Sequence, residues 1–240
     1  MLLRSLSLLI WFTGCCLGSF LMVIGSRVPI HQSIVFPRSH CTNCHHTLPI
    51  SELVPILSYL IQKGRCRNCQ QKISIFYPVV ELFMGFVSLF IFSTYLFSPV
   101  EGLFVTGIVS FSLIFIISDS CYQLLPDNLM RLFFLWVFLG RLIIHPYPIS
   151  FYIFSGLGFF SFFYLVYHFS STPIGGGDVK LLGIIALLLG YHSSIIALLF
   201  ASLSAILVYL PLMFSKKISY SYPIPFAPFI FLGIFIAYCL

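Results

Sequence analysis

Charge is what this sequence has least of. Asp, Glu, Lys and Arg make up only 8% of its 240 residues, against about 25% in an average soluble chain. Hydrophobic residues reach 60%, mean hydropathy is +1.07, and Phe alone occurs 28 times. Twelve basic and six acidic side chains cannot cover the surface of a water-soluble fold of this size. The same figures exclude intrinsic disorder, a collagen and a secreted disulfide scaffold. Several catalytic signatures are missing as well. There is no HExxH, no Walker loop and no GxSxG, which removes the usual zinc protease, phosphate-binding loop and serine hydrolase readings.

What remains is a series of apolar stretches. A bilayer span takes about 20 such residues, and the first candidate covers about 5–25. Arg4 gives it the positive start of a signal peptide, and Phe12-Thr13-Gly14-Cys15 resembles a lipoprotein cleavage site. Apolar character nevertheless continues through Phe20-Leu21-Met22-Val23-Ile24, long for a signal sequence, so a retained helix is expected. Residues 26–77 are polar. Seven further apolar stretches follow, at about 78–98, 102–120, 128–144, 149–169, 179–191, 194–214 and 224–240. Breaks at Ser98-Pro99, Pro126-Asp127, His145-Pro146 and Pro173 to Gly177 separate several of them, and no internal repeat is visible. The expectation is an all-α polytopic membrane protein with about eight transmembrane helices. Its parts are a first helix at 1–25, a small loop domain at 26–77 and a membrane core at 78–240.

The basic residues orient this arrangement. Six of the twelve (Arg27, Arg38, Lys63, Arg65, Arg67, Lys72) lie in 26–77 beside one acid, Glu52. Lys and Arg are retained on the cytoplasmic side, so the loop is expected there. Eight spans then bring the connections near 121–127, 171–178 and 215–222 to the same side, where Arg131, Lys180, Lys216 and Lys217 cluster. The outer connections near 99–101 and 190–193 hold neither Lys nor Arg, and Arg141 is the one cation near an outer end. No motif accompanies the basicity that would point to nucleic acid.

The loop carries Cys41-Thr42-Asn43-Cys44 and Cys66-Arg67-Asn68-Cys69, with 21 residues between the pairs. Two CxxC knuckles can complete a tetrahedral site of four thiolates, for which zinc is the default ion. Two disulfides or a redox dithiol are the alternatives, and a cytoplasmic loop disfavours disulfides. A polar segment this short needs such a staple to fold. Cys15, Cys16, Cys121 and Cys239 read as ordinary residues of membrane helices.

Among the six acids, Glu101 falls in an expected outer connection. Asp119 ends an apolar run, and an ionisable group at that depth is costly enough to mark a functional site. Asp178 follows Gly175-Gly176-Gly177, which allow a sharp turn and a close approach of backbones. Asp127 and Asp178 also suit helix N-caps. Two carboxylates meeting in a dry site share one proton, so one takes a proton from water while the other polarises a carbonyl. Asp119 and Asp178 both fall at expected cytoplasmic helix ends. A transporter using the acids as an ion path, and a membrane thiol oxidoreductase using the CxxC pairs, are rival readings.

In order along the chain stand Gly18-Ser19-Phe20-Leu21 and Arg27-Val28-Pro29, then the CxxC pairs flanking Pro55-Ile56-Leu57-Ser58-Tyr59-Leu60, then Tyr77-Pro78 to Glu81-Leu82. Asp119 with Leu125-Pro126-Asp127, Gly175-Gly176-Gly177-Asp178-Val179-Lys180 and Pro223-Ile224-Pro225-Phe226-Ala227-Pro228 complete the set. Together these resemble the type IV prepilin peptidases, membrane aspartyl proteases of the GxGD class. The resemblance covers most of the chain.

It implies that Asp119 and Asp178 are the catalytic pair in a peptidase core at 78–240. It implies removal of a short basic leader after Gly, at the cytoplasmic face of a bacterial plasma membrane. The substrates would be prepilins or pseudopilins. Many members also N-methylate the new amino terminus with S-adenosylmethionine, an activity associated with the cysteine loop. The short length looks like the competence-type enzymes of Gram-positive bacteria. Three positions depart from the pattern: Met22 where Asn is usual, Ser26 where Tyr or His is common, and Cys121 where a second acid is frequent. They bear on methyl transfer rather than on proteolysis.

Overall fold

The computed structural model describes residues 2–170, 175–215 and 224–239, with side chains from 5 to 238 within them. Pro173, Lys216, Lys217 and Pro223 lie outside the described residues, as do the side chains of Arg4 and Cys239. The described chain is nearly all helical: α1 (Leu2–Arg27), α2 (Leu57–Ile61), α3 (Phe76–Thr94), α4 (Pro99–Tyr122), α5 (Asp127–Ile143), α6 (Ile149–Phe169), α7 (Gly176–Leu189), α8 (Tyr191–Phe214) and α9 (Ala227–Cys239). Five of these, α1, α3, α4, α6 and α8, are long and apolar enough to cross a membrane. α5, α7 and α9 are shorter, at 17, 14 and 13 residues. Large apolar side chains such as Phe90, Phe154 and Leu207 face outward, where only lipid makes them harmless. The chain is a multi-pass membrane protein.

Each expected apolar stretch forms a helix, with shifted ends. α4 begins at Pro99 instead of 102, so Glu101 occupies its first turn and not a connection. Proline at a first helical position gives up an N–H that has no partner there, and an acid meets the positive end of the helix. α7 begins at Gly176 and is about 21 Å long, shorter than the hydrocarbon core of about 30 Å. Its residues from Leu181 to Leu188 are all buried, so other helices rather than lipid surround it.

The chain divides into two compact units, Met1–Ile114 and Phe115–Leu240. In the first, α1 packs along α3 through glycines. A Cβ on Gly18 would lie 2.9 Å from the Val80 carbonyl oxygen, and one on Gly85 would lie 2.6 Å from Cys15 Sγ. Small residues let the two backbones close up where lipid supplies no hydrophobic drive between helices. Cys15 is buried in this seam, whereas Cys16 and Cys121 are exposed. The loop between α1 and α3 is tied to the membrane helices by a buried acid. The carboxylate of Glu81, in the second turn of α3, accepts the N–H of Ile56 at 2.8 Å.

In the second unit α7 is central. Gly183 and Gly156 bring α6 against it, with an added Cβ on either lying 3.0–3.1 Å from Phe160 or Leu187. Phe115 of α4 meets Phe133 of α5 edge-on at 5.6 Å and stacks on Phe231 of α9 at 6.3 Å. At the far end of α7, Arg141 donates through Nε to the Leu188 carbonyl at 2.7 Å and through a second guanidinium nitrogen to the same oxygen. It also lies 4.5 Å over the Tyr152 ring. The one cation expected near an outer end therefore satisfies helix-terminal carbonyls inside the protein. Arg141→Leu strands the Leu188 carbonyl and should cost about 1–3 kcal/mol. The check is thermal unfolding in detergent; an unchanged Tm would show that this end is satisfied otherwise.

Candidate functional site

Asp119 lies in the last turn of α4 and is 6% exposed. Its Oδ2 accepts the N–H of Ala227 at 2.8 Å, and the Phe226 N–H is directed at the same carboxyl. Ala227 opens α9, so the acid uses a helix-terminal donor that has no partner within its own helix. The register is set one turn away. Phe115 precedes Asp119 by four residues and Phe231 follows Ala227 by four, so the ring stack and the N–H bond align α4 and α9 antiparallel. The buried Ser118 hydroxyl donates to the Leu124 carbonyl. Gln123, at φ +53°, turns the chain out of α4 towards α5.

Asp178 is the third residue of α7 and half-buried. It lies close enough to Asp119 for the charge of one to act on the other. Gly175 and Gly177 serve by space and not by an unusual turn, since Gly175 has φ −57° and no positive φ occurs in the run. A Cβ on Gly175 would sit 3.1 Å from Asp178 Oδ2, and one on Gly177 would sit 3.0 Å from the Leu125 side chain. The glycine run lets the carboxyl fold back over the chain while α7 closes on the α4–α5 connection.

Neither Asp127 nor Asp178 caps its helix: Pro126 and Gly175 hold the cap positions, without side-chain bonds. Asp127 instead pairs with Lys180 at 2.6 Å. Both partners are largely exposed, so the pair contributes at most about 1 kcal/mol, but it ties the starts of α5 and α7 together. Beside it an apolar groove of about 750 Å³ runs between α5, α6 and α7, past Phe134, Gly156 and Phe160. Neither Asp119 nor Asp178 lines it.

The four loop cysteines converge in the first unit, with every pair of sulfurs within 4.8 Å. Cys41 and Cys69 stand 3.7 Å apart, and Cys44 and Cys66 stand 3.9 Å apart. A tetrahedron with zinc–sulfur bonds of about 2.3 Å has edges of about 3.8 Å, so the four thiols could hold a metal ion and the geometry fits zinc. The two CxxC pairs prove to sit in one repeated backbone turn. Bridges His40–Thr47 and Arg65–Lys72 close two like knuckles. Cys41 receives the N–H of His45 on its carbonyl and donates its own N–H to His46; Cys66 does the same with Gln70 and Gln71. His45 and Gln70 both adopt positive φ. Beyond the cysteines and Asn43/Asn68 the equivalent positions share no residue type, so the extent of the repeat was not legible in the sequence.

Backbone donors within the knuckles favour thiolates. The N–H groups of Cys44 and then Asn43 hold the Cys41 thiol below its ordinary value. The Gln71 N–H, then the Asn43 side chain, bring Cys69 down to about 6. A depressed thiol keeps its stabilising charge above its unfolded value and loses it as pH falls through the folded one. Metal content of the purified protein should therefore be full at pH 8 and lost on acidification below about pH 6, and Cys69→Ser should lose it at both. Elemental analysis after gel filtration checks this, and full metal in the serine variant would refute a four-thiolate site.

The residues missed from sequence are the donors on Asp119. The proline-punctuated Pro223–Pro228 run was noticeable, but not that its Phe226 and Ala227 N–H groups serve Asp119, more than a hundred positions earlier. Of the family models, that described as the Bacterial Peptidase A24 N-terminal domain matches residues 12–95, and that of the Type IV leader peptidase family matches residues 106–210. A Bacillus subtilis protein named prepilin leader peptidase/N-methyltransferase is 34% identical over 237 residues, 97% of this chain and 93% of that protein. Proteins of the same name from Aeromonas salmonicida and Klebsiella pneumoniae are 30% and 32% identical, covering 95% and 82% of this chain and 89% and 90% of theirs. No solved structure matches significantly.

Proposed function

The chain belongs to the type IV leader peptidase family, and on that premise we propose that Asp119 and Asp178 are its catalytic pair, removing the basic leader of prepilins or competence pseudopilins after Gly. The chain is organised for this as a first helix at 1–25, a cysteine loop domain at 26–77 and a peptidase core at 78–240. The observation that carries the reading is that two acids from different helices, one of them buried, lie within electrostatic reach of each other. Two adjacent carboxyls cannot both ionise readily, so they hold one proton between them. Oδ2 of Asp119 already accepts an N–H. The shared proton therefore resides on Asp119 Oδ1 or on Asp178. In the working state one acid deprotonates a water and the other, neutral, polarises the scissile carbonyl.

The site faces the cytoplasm in this reading. Lys180 stands with Asp178 at the start of α7, Arg131 stands at the start of α5, just after the end of α4 that bears Asp119, and the positive-inside bias favours that side. The membrane is accordingly the bacterial plasma membrane. The groove between α5, α6 and α7 offers an apolar bed for the hydrophobic helix that follows the scissile bond. The four cysteines hold structural zinc. The relatives' second activity extends to this chain as N-methylation of the new amino terminus with S-adenosylmethionine as donor, and no residues are assigned to that step.

The rival readings lose their support. An ion path wants acids near the midplane, whereas Asp119 and Asp178 sit at helix ends. A dithiol oxidoreductase wants separate cysteine pairs, whereas these sulfurs form one cluster. Asp119→Asn and Asp178→Asn, each co-expressed with a pseudopilin, should slow leader removal by at least about 100-fold, read as precursor accumulating on a blot. Normal maturation in either variant would end the proposal. Mass spectrometry of the mature amino terminus tests methylation separately.

A further inference from the structure

The cysteine loop presents an apolar face that none of the described residues covers. Leu57, Leu60 and Ile61 lie three and four residues apart on α2, hence on one side of it, and are 54%, 64% and 67% exposed. Ile50, in the short helix that packs against α2, is 77% exposed. Four large aliphatic side chains left out together need an apolar environment.

The depth of α2 identifies that environment. Glu81 lies five residues into α3, about 7.5 Å from its start. α3 spans 19 residues, about 28 Å, which barely matches the roughly 30 Å hydrocarbon core. The Glu81 carboxylate holds the N–H of Ile56, the residue immediately before α2, at 2.8 Å. Ile56 takes φ +63° to make the connection, a conformation that bulky side chains avoid. α2 is therefore pinned level with the second turn of a membrane helix, not lifted into the cytosol. Lys63 and Arg65, directly after α2, are exposed. The loop's one acid, Glu52, is buried and engaged by Arg67 at 3.3 Å, so no exposed carboxylate of the loop offsets these cations.

From this juxtaposition we infer that α2 is an interfacial foot: Ile50, Leu57, Leu60 and Ile61 are immersed in the acyl boundary of the same bilayer, with Lys63 and Arg65 on the phosphates of anionic lipids. The arrangement is that of an amphipathic segment lying in the membrane plane. It steadies the cysteine loop at the surface independently of the peptidase chemistry.

The test uses the full chain in nanodiscs, comparing Leu60→Trp and Ile61→Trp with the unsubstituted protein and with Thr42→Trp on the exposed first knuckle. Metal content verifies that each variant is folded. Phosphatidylglycerol brominated in its acyl chains should remove about half of the added emission from Leu60→Trp or Ile61→Trp, with iodide having little effect, as for an interfacial side chain. Thr42→Trp should behave oppositely. Free quenching of both α2 variants by iodide, without quenching by brominated lipid, would overturn the inference. So would shielding that arises only when a pseudopilin is added, which would make the face a protein-binding surface. Quenching should be stronger in phosphatidylglycerol than in phosphatidylcholine, and Lys63→Gln with Arg65→Gln should abolish the difference. A preference that survives both substitutions would overturn the headgroup contact.

Discussion

A carboxylate buried in an apolar helix bundle has to be given donors, and much of the second unit is arranged around that requirement. Asp119 receives the Ala227 N–H from a helix 108 positions later. That bond exists only if α4 and α9 are antiparallel and in one register, which the Phe115–Phe231 stack one turn away enforces. The same aromatic wedge brings in Phe133 and so locates α5. α7 can then be short, because it is enclosed by protein, and its start can lie where Asp178 is within electrostatic reach of Asp119. The far end of α7 meets the matching demand for its carbonyls through Arg141.

The first unit solves a different problem with the same means. Its loop has little apolar interior of its own, and its order comes from anchors at three places. Four thiols gather with tetrahedral spacing, backbone N–H groups favour the thiolates of Cys41 and Cys69, and Glu81 reaches from α3 to hold the loop backbone at Ile56. The pairing of the two knuckles and the Glu81–Ile56 bond each join residues more than twenty positions apart, whereas the donors on the thiols are local. Their combined effect is to keep a polar, basic segment folded beside the bilayer, where the proposed processing of a membrane-tethered substrate would take place.

In the proposed chemistry the two acids need opposite environments within one small space. Asp119 is buried and supplied with N–H donors on one oxygen, whereas Asp178 is half-buried at the start of a helix behind a glycine run. An asymmetric pair of this kind can keep one proton in a defined place while leaving room for water and a peptide. The Asp127–Lys180 pair lies nearby and exposed. It braces the helix starts rather than taking part in that proton sharing.

The apolar stretches determined the helices and the membrane class, because a chain with this little charge has no other way to satisfy its backbone. The CxxC spacing determined the cysteine cluster, because ligand spacing within a knuckle is local. Asp119 was marked by the cost of an ionisable group at the end of an apolar run, and the resemblance carried by the ordered motifs added Asp178. Only the tertiary structure decided what those acids touch, that the glycines serve by proximity rather than by positive φ, and that Arg141 ends α7. It alone also set α2 at the depth of α3. Those facts depend on contacts between residues far apart in the chain, and periodicity and spacing carry information only about neighbours.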